Sequence, residues 1–562
     1  MFKNQPKGLY VLALSNTGER FGYYTMIAIL LLFLQAKFGF STGVAGTIYS
    51  AFLALVYFMP MLGGWVADKW NFQKTVTLGI VVMFIGYLVL AIPTPRLATS
   101  SLVIFLAGLL CVCTGTGLFK GNLQVMVGDL YNDPKYSAKR DLGFSLFYMA
   151  INIGAMFAPS MSVALCQYAL GEAGFVYNPA LPSICTRIIG DGIQNIDPEA
   201  LQTVNNYLAS LPEATAAAYF GNLPLFAEDF MNAISSGYSL AFAVACASMV
   251  VSFIIYKLGK STYACLNETK AVGNSSSAAV PELTKEQTRS RIVALLLVFT
   301  VVIFFWMVFN QNGMCLTKFA EVFTETETSS WTRVGFNVWA LALIVVVVYA
   351  LFSVVQSASG KAKTLSAIIA AIALGALVYI YKEATPDPVT GLQPQIYQQF
   401  NPFYVVALTP FSVALFAWLA RIGKEPSAPR KIGIGMLVAA FAFAFMVVGS
   451  LGLGVPPVEG QGNELVSPNL LITTYLFLTF AELLLSPMGI SFVSKVAPPK
   501  YKGLMMGCWF GATAIGNYLV SIPALLWNHI DVAVLWGILI AVCLLSALFI
   551  FSIMKKLETA TA

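Results

Sequence analysis

The chain has 562 residues, of which 58% are hydrophobic and only 10% are charged. Soluble domains carry about 25% charged residues, so this composition leaves no soluble catalytic domain and predicts an all-α protein that crosses a bilayer many times. The net charge of +6 indicates no nucleic-acid partner, because the basic residues lie in short loops between apolar segments. A single histidine and scattered cysteines favour neither a metal centre nor another cofactor.

Fourteen apolar segments are long enough to cross the roughly 30 Å hydrocarbon core of a membrane. With the N-terminus inside and the spans alternating, 24 of the 32 lysine and arginine residues fall inside and 6 fall outside. Cytoplasmic loops carry such an excess of basic residues, so we predict that both termini face the cytoplasm of an inner membrane of bacterial type. The predicted spans are 8–36, 43–67, 75–93, 99–127, 142–164, 236–258, 291–312, 334–356, 364–381, 402–421, 430–453, 468–494, 503–527 and 532–554.

Three segments interrupt this regular pattern. Residues 165–235 form a long, acidic outside loop, for which a small lid and a spacer are both open interpretations. Residues 259–290 are polar and rich in serine, which favours a cytoplasmic linker between an N-terminal six-helix bundle, 1–258, and a C-terminal bundle, 291–562. Residues 334–381 contain two apolar helices without a strong polar cluster, which predicts a peripheral hairpin within the C-terminal bundle.

Two of the nine cysteines flank or enter the long outside loop. A disulfide between Cys166 and Cys185 requires that this loop face an oxidising compartment, and two free thiols are the alternative. Most other cysteines lie in apolar spans, where a cysteine behaves as a small core residue. The sequence leaves the pairing of Cys166 with Cys185 open.

The first span carries two adjacent charged residues, Glu19 and Arg20. A charge at the bilayer centre costs about 2.5 to 3.5 kcal/mol, so such residues predict a functional site. Asn16 and Tyr23 lie three or four residues away and therefore share a helix face with this pair. We expect that face to line a water-filled cavity. A charge pair that only holds two helices together is the alternative.

Lys120 lies within the fourth span, about two turns from its cytoplasmic end, which is too deep for easy contact with water. We therefore expect Lys120 to face the cavity. Glu19 is its predicted partner, because burying one charge alone costs far more than burying a pair. The glycines before Lys120 lack the spacing of a phosphate-binding loop. Asn152 in the fifth span adds a side chain that can donate and accept hydrogen bonds inside the bundle.

The second span ends in Gly63-Gly64-Trp-Val-Ala-Asp68-Lys69. The glycines allow close approach of a neighbouring helix, and Asp68 can pair with basic loop residues. The segment resembles the signature loop of the major facilitator superfamily, which implies a gating role. An ordinary glycine-rich helix end is the alternative.

Several motifs, in order along the chain, resemble those of the proton-dependent oligopeptide transporter family within the major facilitator superfamily. The first half contains Glu19-Arg20-Phe-x-Tyr-Tyr24, Gly-Leu-Phe-Lys120 and Phe-Tyr-x-x-Ile-Asn152-x-Gly. The second half contains Phe305-Trp306, Gln399-Phe-Asn401-Pro, Ala481-Glu482-Leu-Leu-Leu-Ser486-Pro and Met-Met-Gly-Cys-Trp509-Phe. The resemblance covers twelve spans and excludes residues 165–235 and 334–381.

The resemblance implies two six-helix bundles that rock about a central cavity, and a proton gradient that drives uptake of di- and tripeptides without any enzymatic activity. It implies that Glu482 binds the peptide amino group and that Arg20 and Lys120 bind the carboxylate. Opposite charges on opposite walls also suit a zwitterion on physical grounds. The expected pocket residues are Asn16, Tyr23, Tyr24, Tyr57, Asn152, Trp306, Asn310, Asn401, Ser486 and Trp509.

Three positions depart from the family pattern. Asn16, Ile27 and Asn310 stand where a glutamate, an arginine and an acidic residue are usual, and the last two form a salt bridge between the halves in typical members. Because both charges of that salt bridge are absent here, neither is left without a partner. Proton coupling is then expected from the remaining charged cluster of the first and fourth spans.

That cluster consists of Glu19, Arg20 and Lys120, whose titrations are coupled. We expect a monomer in the lipid bilayer that carries di- and tripeptides or peptide-like small molecules, with protons as the coupling ion. A facilitator or a differently coupled carrier of peptide-like compounds is the alternative. A membrane sensor or enzyme with a transporter fold is the remote alternative.

Overall fold

The structure is a computed structural model, and it describes residues 5–263, 284–357, 359–458, 460–462, 464–498 and 501–561. Fourteen of the helices in these residues are long and apolar enough to cross a membrane, which confirms the predicted number. The protein is therefore a multi-pass membrane protein. Much of the predicted linker, residues 264–283, lies outside the described part of the chain.

The N-terminal half forms one helix bundle. The first helix packs mainly against the fifth and ninth, and the third packs against the fourth. Its helices are α1 Lys7–Phe38, α2 Thr42–Lys69, α3 Phe72–Ala91, α4 Thr99–Asp129, α5 Arg140–Glu172, α6 Leu181–Asp191, α7 Pro198–Ser210, α8 Glu213–Ala216 and α9 Leu223–Leu258.

The C-terminal half forms a second bundle, in which the fifteenth helix packs against the sixteenth and nineteenth, and the tenth packs against the seventeenth. Its first helices are α10 Lys285–Phe309, α11 Cys315–Val322, α12 Val338–Gln356, α13 Gly360–Tyr379, α14 Phe400–Arg421 and α15 Ala428–Gly449. Its last helices are α16 Asn469–Val496, α17 Lys502–Leu519, α18 Ser521–Leu526, α19 Val532–Ser552 and α20 Met554–Thr561.

Local sequence explains several helix ends. Asn71 begins α3 by accepting a hydrogen bond from the backbone nitrogen of Gln73 at 2.7 Å. Thr284 and Gln287 form a reciprocal capping box at the start of α10. Gly39 ends α1 with φ +66°, a left-handed conformation that glycine adopts without a steric cost.

Glycines bring the helices of the N-terminal bundle into close contact. Gly63 of α2 lies directly against the backbone of Gly117 in α4, and Asn122 donates a hydrogen bond to the Gly63 carbonyl at 3.0 Å. A Cβ atom on Gly79 would lie 2.8 Å from the carbonyl oxygen of Gly115. These contacts show why the predicted glycine-rich end of the second span begins with glycine.

The rest of that helix end makes fewer contacts. A Cβ atom on Gly64 would meet open space. The ammonium group of Lys69 lies 3.7 Å from the centre of the Trp65 ring, in a cation–π contact. The side chain of Asp68 lies outside the described part of the structure. The gating role of this segment stays a prediction.

Residues 173–222, called the cap below, lie between α5 and α9 on the face of the bundle opposite the termini. We call this face the cap face. The predicted loop 165–235 was too long, because α5 continues to Glu172 and α9 begins at Leu223. The cap has its own core, in which the hydroxyl group of Tyr207 accepts from the Val176 nitrogen at 3.0 Å and donates to its carbonyl at 2.8 Å. The cap is therefore a folded unit.

A disulfide between Cys166 and Cys185 is not present, since both are free and fully buried thiols. Cys166 lies in α5, where its backbone packs closely against Gly237 of α9. Cys185 lies in the cap, where burial raises the pKa of its thiol and so favours the protonated, unreactive form. The disulfide alternative was wrong because both cysteines are small core residues in separate helices.

The helices α12 and α13 form the predicted peripheral hairpin. They pack chiefly on each other, and α12 also packs against α14. Trp339 of α12 reaches the N-terminal half, where its ring lies 5.3 Å from that of Phe157. Most side chains of α13 are exposed, as expected for a helix that faces lipid.

Hydrogen bonds join the two halves near the cap face. Lys318 of α11 forms an ion pair with Glu321 in the same helix, and both side chains are buried. The links between the halves are Lys318 to Gln35 at 3.2 Å, Gln398 to the carbonyl of Ala28 at 3.2 Å, Ser160 to Gln399 at 2.6 Å, and the backbone nitrogen of Gly460 to Ser183 at 2.8 Å. None of these four links is an ion pair. The N-terminal half contributes to them an amide side chain, a backbone carbonyl and two hydroxyl groups.

Candidate functional site

A cavity of about 270 Å³ lies between the two halves. The helices α1, α2, α4 and α5 line it from the N-terminal half, and α10, α14, α16 and α17 line it from the C-terminal half. The structure brings all the predicted pocket and peptide-binding residues to this cavity. They are Asn16, Arg20, Tyr23, Tyr24, Tyr57, Lys120, Asn152, Trp306, Asn310, Asn401, Glu482, Ser486 and Trp509.

Arg20 and Glu19 form a buried ion pair on the N-terminal wall. The Arg20 Nη2 atom lies 2.5 Å from Glu19 Oε1, and Arg20 Nε donates to Glu19 Oε2. Arg20 lines the cavity, whereas Glu19 is completely buried behind it. The guanidinium carbon also lies 4.9 Å from the centre of the Tyr23 ring. Two parallel bonds from a guanidinium group fix the carboxylate in direction as well as distance.

Lys120 does not pair with Glu19, contrary to the sequence prediction. Its Nζ atom lies 4.0 Å from the centre of the Tyr57 ring, in a cation–π contact. Glu19 instead turns to the neighbouring Arg20, whose long side chain folds back to reach it. Lys120 therefore presents a cation to the cavity without a carboxylate partner among the described residues.

Glu482 lies on the C-terminal wall, in α16. Asn401 donates a hydrogen bond to Glu482 Oε2 at 2.9 Å, and Tyr148 of the N-terminal half donates to Oε1 at 3.3 Å. Asn401 also lies 3.0 Å from the hydroxyl group of Thr479. Both carboxylate oxygens are therefore held by neutral donors. Since a buried carboxylate is costly without a cation, Glu482 suits an incoming ammonium group.

Aromatic rings form the apolar surface of the cavity. The rings of Tyr23 and Tyr24 meet edge to face at 5.3 Å, and Tyr57 lies 6.3 Å from Trp306 across the two halves. The indole nitrogen of Trp306 is buried without a hydrogen-bond partner in the described structure. Such a mixture of rings and a few polar groups is typical of small-molecule sites.

The three positions that depart from the family motif carry uncharged side chains. Asn16 lines the cavity, and so does Ile27, which is 5% exposed. Asn310 donates a hydrogen bond at 2.5 Å to Asn517 of α17. Asn310 is therefore held by Asn517 within its own half, and the cavity surface at Ile27 is apolar.

Comparison with known proteins points to one family. The model of the POT family matches residues 73–189 and 385–537. The chain is similar to the POT family over these residues.

Transporters of other organisms align with almost the whole chain. An uncharacterized transporter of Bacillus subtilis, YclF, is 26% identical and aligns with 95% of this chain and 91% of its own length. Dipeptide and tripeptide permease B of Salmonella typhimurium is 25% identical over 94% of this chain and 89% of its own. A POT family transporter in complex with 5-aminolevulinic acid has a TM-score of 0.65 at 19% identity, covering 99% of this chain and 98% of the other. That likeness shows the major facilitator fold, two six-helix bundles with the extra hairpin.

Several residues that line the cavity were not among the predicted pocket residues. Helical spacing could have found most of them, because they lie one turn from predicted residues on the same helix face. Tyr49 and Leu53 precede Tyr57 in steps of four, and Gln124 follows Lys120 by four. The missed residues that line the cavity include Tyr49, Leu53, Gln124, Phe147, Tyr148, Ile151, Phe309, Asn312, Gln398, Phe510 and Thr513.

Proposed function

We propose that this protein is a POT transporter that imports di- and tripeptides by proton symport, with a cavity that opens alternately to the two sides of the membrane. One observation carries the proposal: Lys120 presents an unpaired cation from the N-terminal half, and Glu482 presents an anion from the C-terminal half of the same cavity. A peptide zwitterion has the complementary charges. Peptide permeases among the relatives support this substrate class.

The two ends of the peptide have separate binding groups. The ammonium group binds Glu482, whose carboxylate is already oriented by Asn401 and Tyr148. The carboxylate binds Lys120, and Arg20 adds a second cation once it is released from Glu19. A bound peptide thereby links the two halves, so it stabilises the state in which the cavity is closed around it.

Proton coupling is assigned to the pair of Glu19 and Arg20. Protonation of Glu19 would remove its charge and free the Arg20 guanidinium for the peptide carboxylate. Departure of the peptide would restore the pair and release the proton. The neutral Asn16, Ile27 and Asn310 contribute no titrating group, so the coupling rests on this pair together with Lys120.

The cap face is proposed to lie outside an inner membrane, with both termini in the cytoplasm. This orientation places most of the basic residues inside. The cap-face hydrogen bonds, from Lys318 to Gln35 and from Gln398 to Ala28, then close the outer side of the cavity. Both ends of one peptide contact a single chain, so the monomer is proposed as the transport unit.

A second candidate is a facilitated or differently coupled carrier of peptide-like compounds. The structural neighbour in complex with 5-aminolevulinic acid favours it, because that ligand also carries an amino group and a carboxylate. The cavity charges fit both substrate classes. Counterflow of a labelled dipeptide, with and without an imposed proton gradient, separates the two candidates. Counterflow alone, without accumulation when the outside is acidified, indicates a facilitator.

The test of the proposed function is dipeptide uptake into proteoliposomes at an acidic and a neutral external pH. We expect acid-driven accumulation by the wild type and its loss in Glu482→Ala, because that variant lacks the group that binds the ammonium ion. The exposed Glu172, at the end of α5, provides a matched control through Glu172→Ala. Absence of uptake by the wild type, or equal uptake by both variants, would overturn the proposal.

A further inference from the structure

One end of the cavity is lined by amides and no charged group. Asn310 and Asn312 lie in the turn that follows α10, and Gln398 lies just before α14. Gln398 donates to the carbonyl of Ala28 at 3.2 Å, which places it beside Ile27 of the opposite half. We call Asn310, Asn312 and Gln398 the amide end of the cavity. All three line it.

The charged groups of the cavity lie at defined distances from this end. Arg20 precedes Ile27 by seven residues in α1, which corresponds to about 10 Å along the helix. Glu482 is closer, because its partner Asn401 follows Gln398 by only three residues, or about one helical turn. Lys318 also lies near Gln398, but its charge is neutralised by the ion pair with Glu321. The amide end is therefore adjacent to the proposed ammonium site and remote from the carboxylate site.

The amide end has hydrogen-bonding capacity that the protein does not use. Asn517 is fully buried and its carbonyl oxygen accepts the 2.5 Å bond from Asn310, whereas the amide nitrogen of Asn517 has no partner in the described structure. Whichever way the two amides are oriented, Asn310 keeps one donor or acceptor for the cavity. Trp306, one turn before Asn310, has an unpartnered indole nitrogen. These groups point to a ligand with polar atoms.

We propose that the amide end binds the side chain of the first residue of the substrate and selects uncharged, hydrogen-bonding side chains such as those of glutamine and asparagine. This inference rests on the proposed peptide transport. A peptide whose ammonium group lies at Glu482 directs its first side chain toward the amide end and its carboxylate toward Lys120. A charged side chain would lose its hydration there without meeting an opposite charge. Asn310 contacts the side chain, and Asn517 is a positioning residue.

The test is competition by dipeptides against uptake of labelled Ala-Ala. The first series is Gln-Ala, Leu-Ala, Glu-Ala and Lys-Ala, and the mirrored series has the same residues in the second position. For the wild type we expect Gln-Ala to compete best, and Lys-Ala and Glu-Ala to need at least about tenfold higher concentration, since an unpaired buried charge is costly. The mirrored series should vary much less.

The variant Asn310→Asp adds one negative charge to the amide end. It should improve competition by Lys-Ala about tenfold relative to Gln-Ala, through a new charge-assisted bond. Asn206→Asp, in the exposed part of the cap, adds the same charge away from the cavity and should change nothing.

The outcomes separate the two proposals. The proposed subsite is wrong if Gln-Ala and Lys-Ala compete equally in the wild type, or if charge has an equally strong effect in the mirrored series. The proposal of peptide transport is unaffected by either result. An unchanged ratio in well-folded Asn310→Asp overturns the subsite as well. If no dipeptide of either series competes, the proposed function fails and the subsite falls with it. The wild-type series decides the matter even if the variant does not fold.

Discussion

At the scale of single residues, the pairing of Glu19 with Arg20 determines how the site can work. Neighbouring residues of a helix point in different directions, so a side-chain pair at adjacent positions is unusual. Arg20 reaches Glu19 because its long side chain folds back, and two hydrogen bonds hold the carboxylate. The pair masks one cation of the cavity, whereas Lys120 stays available. A proton on Glu19 is therefore a simple switch for the second cation.

The variant Glu19→Gln tests this switch. The glutamine keeps a hydrogen-bond acceptor for Arg20 but loses the charge, so Arg20 should be free for the peptide at any pH. We expect peptide affinity at neutral pH to rise about tenfold or more, as one charge-assisted bond of about 1.5 to 3 kcal/mol would give, and the pH dependence of uptake to disappear. Proteoliposome uptake at acidic and neutral pH measures both. Acid stimulation as strong as in the wild type would exclude Glu19 as the proton site.

Just under half of the residues that line the cavity, including its three charged residues, could be predicted from the sequence, but the partners of these residues could not. Charged and aromatic residues within apolar spans must avoid lipid, and this is why Arg20, Lys120 and Glu482 were correctly placed in one cavity. The pairing of Lys120 with Glu19 was wrong, because sequence spacing does not show how far a flexible side chain reaches. Gln398 was missed because it lies in a short 3-10 helix, Pro394–Gln399, that precedes the predicted span.

At the scale of helices, the link between Lys318 and Gln35 is a contact that the sequence did not indicate. Both residues lie near the cap face, and Glu321 neutralises Lys318 within α11. The ion pair therefore moves with the C-terminal half, and opening of the cap face breaks only the hydrogen bond to Gln35. The bond is charge-assisted, so it stabilises the closed state by about 1.5 to 3 kcal/mol.

Gln35→Leu should therefore open the cap face more often, by about tenfold or more in population. Cys315, which is fully buried at the start of α11, is a native reporter of this opening. We expect a membrane-impermeant maleimide to label Cys315 faster in Gln35→Leu, as read by mass spectrometry. Gln202→Leu, on the exposed face of the cap, is the matched control. An unchanged rate of labelling would show that this link does not hold the cap face closed.

The last helix, α20, provides a pH control far from the cavity. The hydrogen bond from Ser427, together with Arg430, holds the pKa of Glu558 below its usual value. A lowered pKa means that the carboxylate stays ionised at neutral and mildly acidic pH, and that the contact is lost only when the pH falls through the lowered value. Glu558→Gln should therefore leave the ratio of acidic to neutral uptake unchanged. A changed ratio would indicate that Glu558 of α20 contributes to proton coupling.

Helix number could be predicted more reliably than helix length. Hydropathy finds the membrane-embedded part of a helix, but α9 begins at Leu223, thirteen residues before its predicted start, in a segment that carries Glu228 and Asp229. That part packs against the aromatic core of the cap, so it need not be apolar throughout. The charged first turn of α10 was missed for a similar reason, since Thr284 and Gln287 stabilise it by capping.

At the scale of the whole molecule, the two halves place opposite charges on one cavity. Lys120 belongs to the N-terminal bundle and Glu482 to the C-terminal bundle, and the hydrogen bond from Tyr148 to Glu482 is a direct polar contact between them. The fold could be predicted from fourteen apolar segments and the family motifs. The folded cap could not, because a polar loop gives no apolar span from which to infer its packing.

A peptide that is held by its two ends, one on each half, must bind more weakly when either end is blocked. Competition by Ala-Ala, N-acetyl-Ala-Ala and Ala-Ala amide, measured in the wild type, Lys120→Ala and Glu482→Ala, tests this. The wild type should bind both blocked peptides at least about tenfold more weakly than Ala-Ala, since each lacks one charge-assisted contact. Glu482→Ala should no longer distinguish the acetylated peptide, and Lys120→Ala should distinguish the amide less than the wild type does, because only Arg20 remains to bind the carboxylate. If the blocked peptides compete as well as Ala-Ala in the wild type, or if both variants lose both preferences alike, the peptide is not held by its two ends.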